Sequence, residues 1–425
     1  MPSNRHDIKA PPRTLAVWIL GLPILVALVY LSQLEWHGER AVDALVHSRI
    51  STDGVSFPPL TEAPWRVAAS VLLFRRSDDF NTMEHHIEKA LRLRPLYAPT
   101  WLERAELERR RGDLAEAARF AEHARALWST RPTVLWQLAN FEIKLGRNDI
   151  ALDVLKDYWR SRPYDSLRVL SLARRLQANP EMLYVAISPG PPATIKDTHF
   201  YSRQYLDYAR RIKNIDMVRA AWNNAPDELK SDTNLALDTI DFMISQQQTE
   251  FASQLWQQLT RNNPVGNIFN PGFESEVSGG GFGWRINTVK GAIINTSSTV
   301  AHGGSHALQI EFNGTENLNF HHVRQYILVE PNSRYRLTGI WRGEDITTRS
   351  GIFVDLRTID TQKNSYSSTN KKYKTWDWQS FALELETPAD TSLLELRIRR
   401  NSTDALDARL AGRVWFDDFR LEKIQ

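Results

Sequence analysis

The chain has 425 residues, of which 42% are hydrophobic and 24% charged, enough for two or three domains with real cores. Its formal net charge of +3 is nearly neutral, so composition gives no ground for a nucleic-acid partner. The absence of cysteine excludes disulfides, thiolate metal sites, a cysteine nucleophile and a lipid-modified cysteine.

Residues 1–13 are short and basic, and residues 14–34 (TLAVWILGLPILVALVYLSQL) carry no side chain that is charged at neutral pH. As a helix this run would rise about 31 Å, enough to span a hydrocarbon core. Arg5, Lys9 and Arg13 precede it, whereas Glu35, Glu39 and Arg40 follow. The expectation is an uncleaved, single-pass anchor in a bacterial inner membrane, with a cytoplasmic N-terminus and a periplasmic bulk. Residues 35–63 read as a linker with a short helix, closed by Pro58, Pro59 and Pro64.

Residues 64–263 read as helical pairs. Ala105 and Ala139, Gly112 and Gly146, Ala117 and Ala151, and Ala90 and Ala124 are each 34 positions apart, with Pro95 and Pro163 as stops. That spacing resembles tetratricopeptide repeats, in which small residues let paired helices approach closely. The resemblance implies a short solenoid whose concave groove holds protein partners. Glu108, Glu142 and Arg104 depart from the family's usual apolar residues. Pro180, Pro189, Pro191 and Pro192 predict an interruption over residues 166–192, followed by two further hairpins.

Beyond Pro264 the period changes from helix to strand. Residues 269–284 (FNPGFESEVSGGGFGW) read as a first strand and first loop. After them Leu308, Ile310 and Phe312 share one face, as do Ile352, Val354 and Leu356, then Phe381, Leu383 and Leu385, and then Leu394, Leu396 and Ile398. Such strands fit a double-sheet jelly-roll, so the fold class is multidomain, α then β: a transmembrane helix, a tetratricopeptide-like α-solenoid and a C-terminal β-sandwich. The run NPGFE at 270–274, Trp284, GGSHAL at 303–308 and VWFDDFRL at 414–421 together resemble carbohydrate-binding modules with a galactose-binding-like fold, over residues 264–425.

The resemblance implies a structural calcium held by Glu274 and Asp418, with Asp417 beside it, completed by loop carbonyls; these are the hard oxygen donors that calcium takes. It also implies a polysaccharide partner. Sugar binding needs flat aromatic faces and a few polar groups, and Trp341, Tyr373 and Trp376 are the candidate rings, whereas Trp284, Trp378 and Trp415 occupy positions that look like core. Arg336, Arg357, Arg397 and Arg399 lie on expected polar strand faces; guanidinium forks suit carboxylates, which points to an acidic glycan with Arg357 and Arg397 as binding residues.

No phosphate-binding loop, nucleophile elbow or zinc-protease motif occurs, and the adjacent pairs His85–His86 and His321–His322 are expected to point apart. The functional expectation is a non-enzymatic, membrane-anchored scaffold of a polysaccharide synthesis or export system. One alternative is an envelope adaptor that binds only proteins; another is a glycosidase whose carboxylate pair the sequence does not single out.

Overall fold

The computed structural model describes residues 65–69, 78–188, 195–260, 268–361 and 364–424. The apolar run at 14–34 and the linker at 35–63 lie outside the described residues. No helix among the described residues is long and apolar enough to cross a membrane. The longest of them has 17 residues and the polar sequence IKDTHFYSRQYLDYARR, where a span needs about 20 apolar ones. The expected placement as a single-pass inner-membrane protein with a periplasmic bulk is corrected on that ground.

The chain divides into two compact units, Met1–Tyr208 and Ala209–Gln425. In the first, residues 65–69 are helical and are followed by α1 (Phe80–Leu93), α2 (Ala98–Arg111), α3 (Leu114–Leu127), α4 (Pro132–Lys144), α5 (Asn148–Ser161), α6 (Ser166–Leu176) and α7 (Pro180–Ile187). Helices α2 and α4 begin 34 positions apart, as do α3 and α5. Ala90, Ala105, Ala117, Ala124, Ala139 and Ala151 are fully buried, and their lack of bulk sets how closely the helices pack. Asp79 and Asp113 cap α1 and α3 by accepting from the backbone N–H of Thr82 and Glu116. Pro180 does not break a helix; it sits in the first turn of α7, where its missing N–H costs nothing.

The polar departures compensate one another. Glu108, 6% exposed, accepts from Arg104 at 3.0 Å and Arg111 at 3.2 Å, and both arginines also reach Glu84 at 2.6 Å. The Arg111 hydrogen bond in particular holds the Glu84 carboxyl down at about 2. Glu142 is likewise buried against Arg147 at 2.9 Å.

Helix α8 (Ile195–Arg211) crosses the division. The second unit continues with α9 (Ile215–Asn224), α10 (Asp227–Lys230), α11 (Thr233–Ser245) and α12 (Thr249–Leu259), and then, among the described residues, ten strands: β1 (Arg285–Ile286), β2 (Ala292–Ser297), β3 (Ala307–Asn313), β4 (Phe320–Leu328), β5 (Arg334–Ile346), β6 (Phe353–Thr358), β7 (Tyr366–Ser368), β8 (Lys374–Glu386), β9 (Leu393–Arg400) and β10 (Ala411–Lys423). They form two antiparallel five-stranded sheets, β1-β4-β9-β6-β7 and β2-β3-β10-β5-β8. The core lies between them, with Val354, Leu356, Leu394, Leu396 and Ile398 from one sheet meeting Leu308, Ile310, Leu337, Trp341, Phe381 and Phe416 from the other.

Residues 269–284 hold no strand. Asn270 and Phe273 take left-handed backbone (φ 50° and 59°), and the Asn270 side chain closes the turn by bonding both the N–H and the C=O of Ser275. Phe273 enters the core against Trp284, with ring centroids 5.0 Å apart. This loop, not β1, meets the last strand: the Phe419 N–H of β10 donates to Pro271 O at 3.2 Å.

Helices α11 and α12 pack on the same stretch. Asp241 of α11 accepts from the Gly281 N–H at 2.7 Å and from the Arg285 guanidinium at 2.5 Å. Gly281 has φ +60°, and a Cβ there would lie 2.4 Å from the Trp256 ring of α12, so side-chain-free backbone is required.

Candidate functional site

Alternation along β4, β6 and β9 places their charged residues, apart from the buried Arg400 at the end of β9, on the face of the first sheet turned away from the core. Cross-strand register sorts them into rows. One row runs Arg285, Arg324, Arg397, Asp355 and Ser368 across β1, β4, β9, β6 and β7; the next runs Tyr326, Glu395, Arg357 and Tyr366; Arg399 faces Phe353 in a third.

The floor of this face is fixed by charge pairs. Arg397 holds Asp355 through two parallel bonds of 2.8 and 2.7 Å, and the Asp355 side chain is 1% exposed. Burial opposes the Arg397 cation, but the carboxylate outweighs it and raises the pKa of the guanidinium. Glu395, equally buried, accepts from Arg357 Nε at 2.7 Å and meets Arg324 at 3.5 Å. The Arg285 guanidinium lies 4.3 Å from the centre of the Tyr326 ring. Tyr366 is 57% exposed. Arg399 donates to Asn319 at 3.3 Å and Asn401 at 2.9 Å, both neutral oxygens.

Arg357, Arg397 and Arg399 thus share one face. Arg336 is on the other sheet, paired with Glu384 of β8 at 2.6 Å. Asp355, Glu395, Arg324, Tyr326 and Tyr366 belong to the site but were not singled out by sequence. For the first four the signal is parity, each having the strand phase opposite to the buried Val323, Val354 or Leu396 of its own strand; Tyr366 is placed only by its register with Arg357.

The aromatic candidates fare differently. Trp341 is 2% exposed, in contact with Trp376, Phe381 and Phe416, so it is a core residue and not a sugar platform. It has the phase of Tyr335 and Leu337, which alternation already turns inward. Trp376 also leans inward, its indole filling the space above Gly343. The cause is a bulge: Trp341 pairs with Gln379 but Gly343 with Trp376, so β8 carries one residue more than β5 and the facing reverses. Trp378 stays on the outer side, half-buried, beside His302 at 5.6 Å. Trp415 is 3% exposed, with the Arg342 and Arg413 guanidiniums 5.6 and 5.8 Å from its ring centre. Tyr373 is 40% exposed on the link before β8, with the Lys374 ammonium 5.6 Å from its ring centre.

A second locus joins the loop at 302–306 to Glu274, Asp417 and Asp418. Asp417 is fully buried, which raises its carboxyl pKa, although three backbone groups donate to it: His302 and Gly303 to Oδ2 at 2.9 and 3.1 Å, and Asp418 to Oδ1 at 2.8 Å. With both oxygens engaged in this way, Asp417 is a clamp on the loop. Asp418, at φ 49° in the β10 bulge, is 44% exposed and meets His302 Nδ1 at 2.8 Å. Glu274 accepts from the N–H groups of Ser305 and His306 at 2.9 and 3.0 Å and from Ser305 Oγ at 2.7 Å. The Ser305 hydroxyl leads in lowering the Glu274 carboxyl to about 2. Gly304 has φ +58°, and a Cβ there would come 2.2 Å from Glu274 Oε1.

Among the described residues no group of three or more His, Asp or Glu side chains is arranged to hold a metal ion. A cation at the loop would rest on Glu274 and Asp418 together with backbone carbonyls, a donor set that suits calcium chemically, beside glycines whose missing side chains leave both carboxylates close to the backbone. The rings of His321 and His322 stack at 4.7 Å and do not point apart.

In the first unit, a cavity of about 450 Å³ is lined by Arg66, Leu102, Glu103, Trp136, Asn140 and Lys144, among others.

The molecule is thus an array of helical hairpins followed by a two-sheet β-sandwich with an aromatic, arginine-rich outer face. No protein-family profile matches the chain. It is 30% identical over 168 residues to the tRNA(Glu)-specific nuclease WapA of Bacillus subtilis subsp. natto strain BEST195, and 28% identical over 166 residues to the tRNA nuclease WapA of Bacillus subtilis strain 168. Each match covers 37% of this chain and 7% of the nuclease, so the chain spans a small fraction of those curated relatives. Among solved structures it is similar to TmCBM61 in complex with β-1,4-galactotriose, at 21% identity over 37% of this chain and 97% of that one, with a TM-score of 0.26. It is also similar to the CBM22-1 xylan-binding domain of Paenibacillus barcinonensis Xyn10C, at 16% identity over 36% and 92%, with a TM-score of 0.25.

Proposed function

We propose that this chain is a non-enzymatic binding protein that holds a glycan on the outer face of the sheet β1-β4-β9-β6-β7. The observation that carries the reading is the row Tyr326, Glu395, Arg357 and Tyr366. It pairs aromatic rings, one of them exposed, with polar groups fixed by buried ion pairs, and this is the combination that sugar recognition uses. The helical hairpins, tetratricopeptide-like in their period, would hold a protein segment at the cavity beside Trp136. Such a pair of activities suits an accessory of polysaccharide synthesis or export. Glu274 and Asp418, with loop carbonyls, would hold a structural calcium that fixes the 302–306 loop.

A glycan array probed with the full chain tests the reading. Retention of at least one polysaccharide, lost in a Tyr366→Ala, Arg357→Ala double variant, is the expected result; no retention on any polysaccharide overturns it. Metal analysis, with melting before and after EDTA, tests the calcium. A melting temperature unmoved by EDTA, with no bound calcium, removes it.

A further inference from the structure

Five guanidinium groups, from Arg285, Arg324, Arg357, Arg397 and Arg399, lie on the outer face of the first sheet, against the two carboxylates of Asp355 and Glu395. Three of the five have a close carboxylate partner: Arg397 with Asp355, Arg357 with Glu395, and Arg285 with Asp241 of α11. Arg324 reaches Glu395 only at 3.5 Å, and its Nε is buried without a hydrogen-bond partner. Arg399 has amide oxygens of Asn319 and Asn401 as its acceptors, and its Nε is likewise buried and unpaired. Burial first, and then the neighbouring Arg397 charge, lower the pKa of Arg399, so the cation is held against opposition that an anion would relieve.

Building on the glycan-binding reading, we propose that the ligand of this face is a carboxylate-bearing polysaccharide, and that Arg399 and Arg324 receive its carboxylates. The two arginines stand on adjacent strands, Arg324 directly across from Arg397 and Arg399 two residues beyond it on β9, and present planar guanidinium groups that match a carboxylate. Tyr326 and Tyr366, one row from Arg324 and two rows from Arg399, supply the apolar surface for sugar rings. The buried acids Asp355 and Glu395 in the floor disfavour a continuous, closely spaced phosphate chain. Separated carboxylates on a sugar polymer can meet these two guanidinium groups, which no close carboxylate holds, and avoid the acids.

The test uses the full chain in affinity electrophoresis against polygalacturonate, alginate and hyaluronate, each beside its methyl ester, and against galactan, xylan and a β-glucan. At least one acidic polymer is expected to bind tenfold or more tightly than its ester, with the ratio falling as salt rises. Arg399→Gln should cut that ratio at least fivefold, while Arg336→Gln, on the other sheet, leaves it within twofold; melting curves establish that both variants fold. Equal binding of acid and ester, or binding of neutral polymers alone, overturns the inference and leaves the glycan reading standing. Binding of single-stranded DNA or polyphosphate as tightly as of the best uronate also overturns it. No binding to any polysaccharide overturns both.

Discussion

Asp417 and Asp418 are neighbours in sequence and opposites in environment: the first is fully buried and accepts three backbone N–H groups, the second is 44% exposed and faces His302. Asp417→Ala would leave buried donors unpaired, each at about 1–3 kcal/mol, so a loss of about 3 kcal/mol is expected in urea unfolding of the full chain. Asp418→Ala should cost less than about 1 kcal/mol in the absence of calcium. Equal losses would contradict the division of roles.

Glu274 supplies a pH dependence. Its carboxyl is lowered to about 2, from an ordinary value of 4.5, by donors in the 302–306 loop. A depressed acid favours the folded state above its unfolded pKa, and the benefit disappears as pH falls through the folded one. The difference in urea midpoint between the native chain and Glu274→Gln should therefore be full at pH 6, shrink below pH 4.5 and vanish near pH 2. A difference that grows on acidification would contradict the assignment.

Trp376 and Trp378 separate by the bulge between β5 and β8. Trp376→Ala empties core volume and should cost about 2–4 kcal/mol, whereas Trp378→Ala should cost under about 1 kcal/mol. Urea unfolding followed by tryptophan fluorescence distinguishes them. The reverse order would mean that β8 faces the other way.

In the first unit, Arg104→Leu leaves buried Glu108 with Arg111 as its remaining partner and sets an apolar side chain beside it, and should cost about 1–2 kcal/mol. The double variant Arg104→Leu, Glu108→Phe removes both partners and leaves the Arg111–Glu84 pair intact. It should return to within about 1 kcal/mol of the native chain, because well-packed apolar groups can replace buried ions at little cost. Additive losses in a urea cycle would contradict this coupling.

Much of the fold was legible where period alone decides. The alanines at 34-residue steps locate the helix contacts, and the inward sets of β3, β8 and β9 follow from strict alternation. The site was legible by half, since parity puts Arg357, Arg397 and Arg399 outward but only register shows that Asp355 and Glu395 stand opposite them. Trp376 was misleading because a one-residue bulge reverses facing without leaving any mark in composition. Residues 269–284 read as a first strand and first loop; left-handed backbone at Asn270 and Phe273 makes the stretch loop throughout. The membrane placement rested on residues 14–34, and no described helix supports it.

On the proposed reading a glycan sits on the outer face of the first sheet, where Tyr366 is the most exposed ring. The most direct measurement is the affinity of the full chain for its best-retained polysaccharide, compared between Tyr366→Ala and Tyr373→Ala. The account predicts at least a tenfold loss for Tyr366→Ala and less than a twofold change for Tyr373→Ala. Unchanged binding in Tyr366→Ala, or a loss confined to Tyr373→Ala, would place the glycan elsewhere and contradict it.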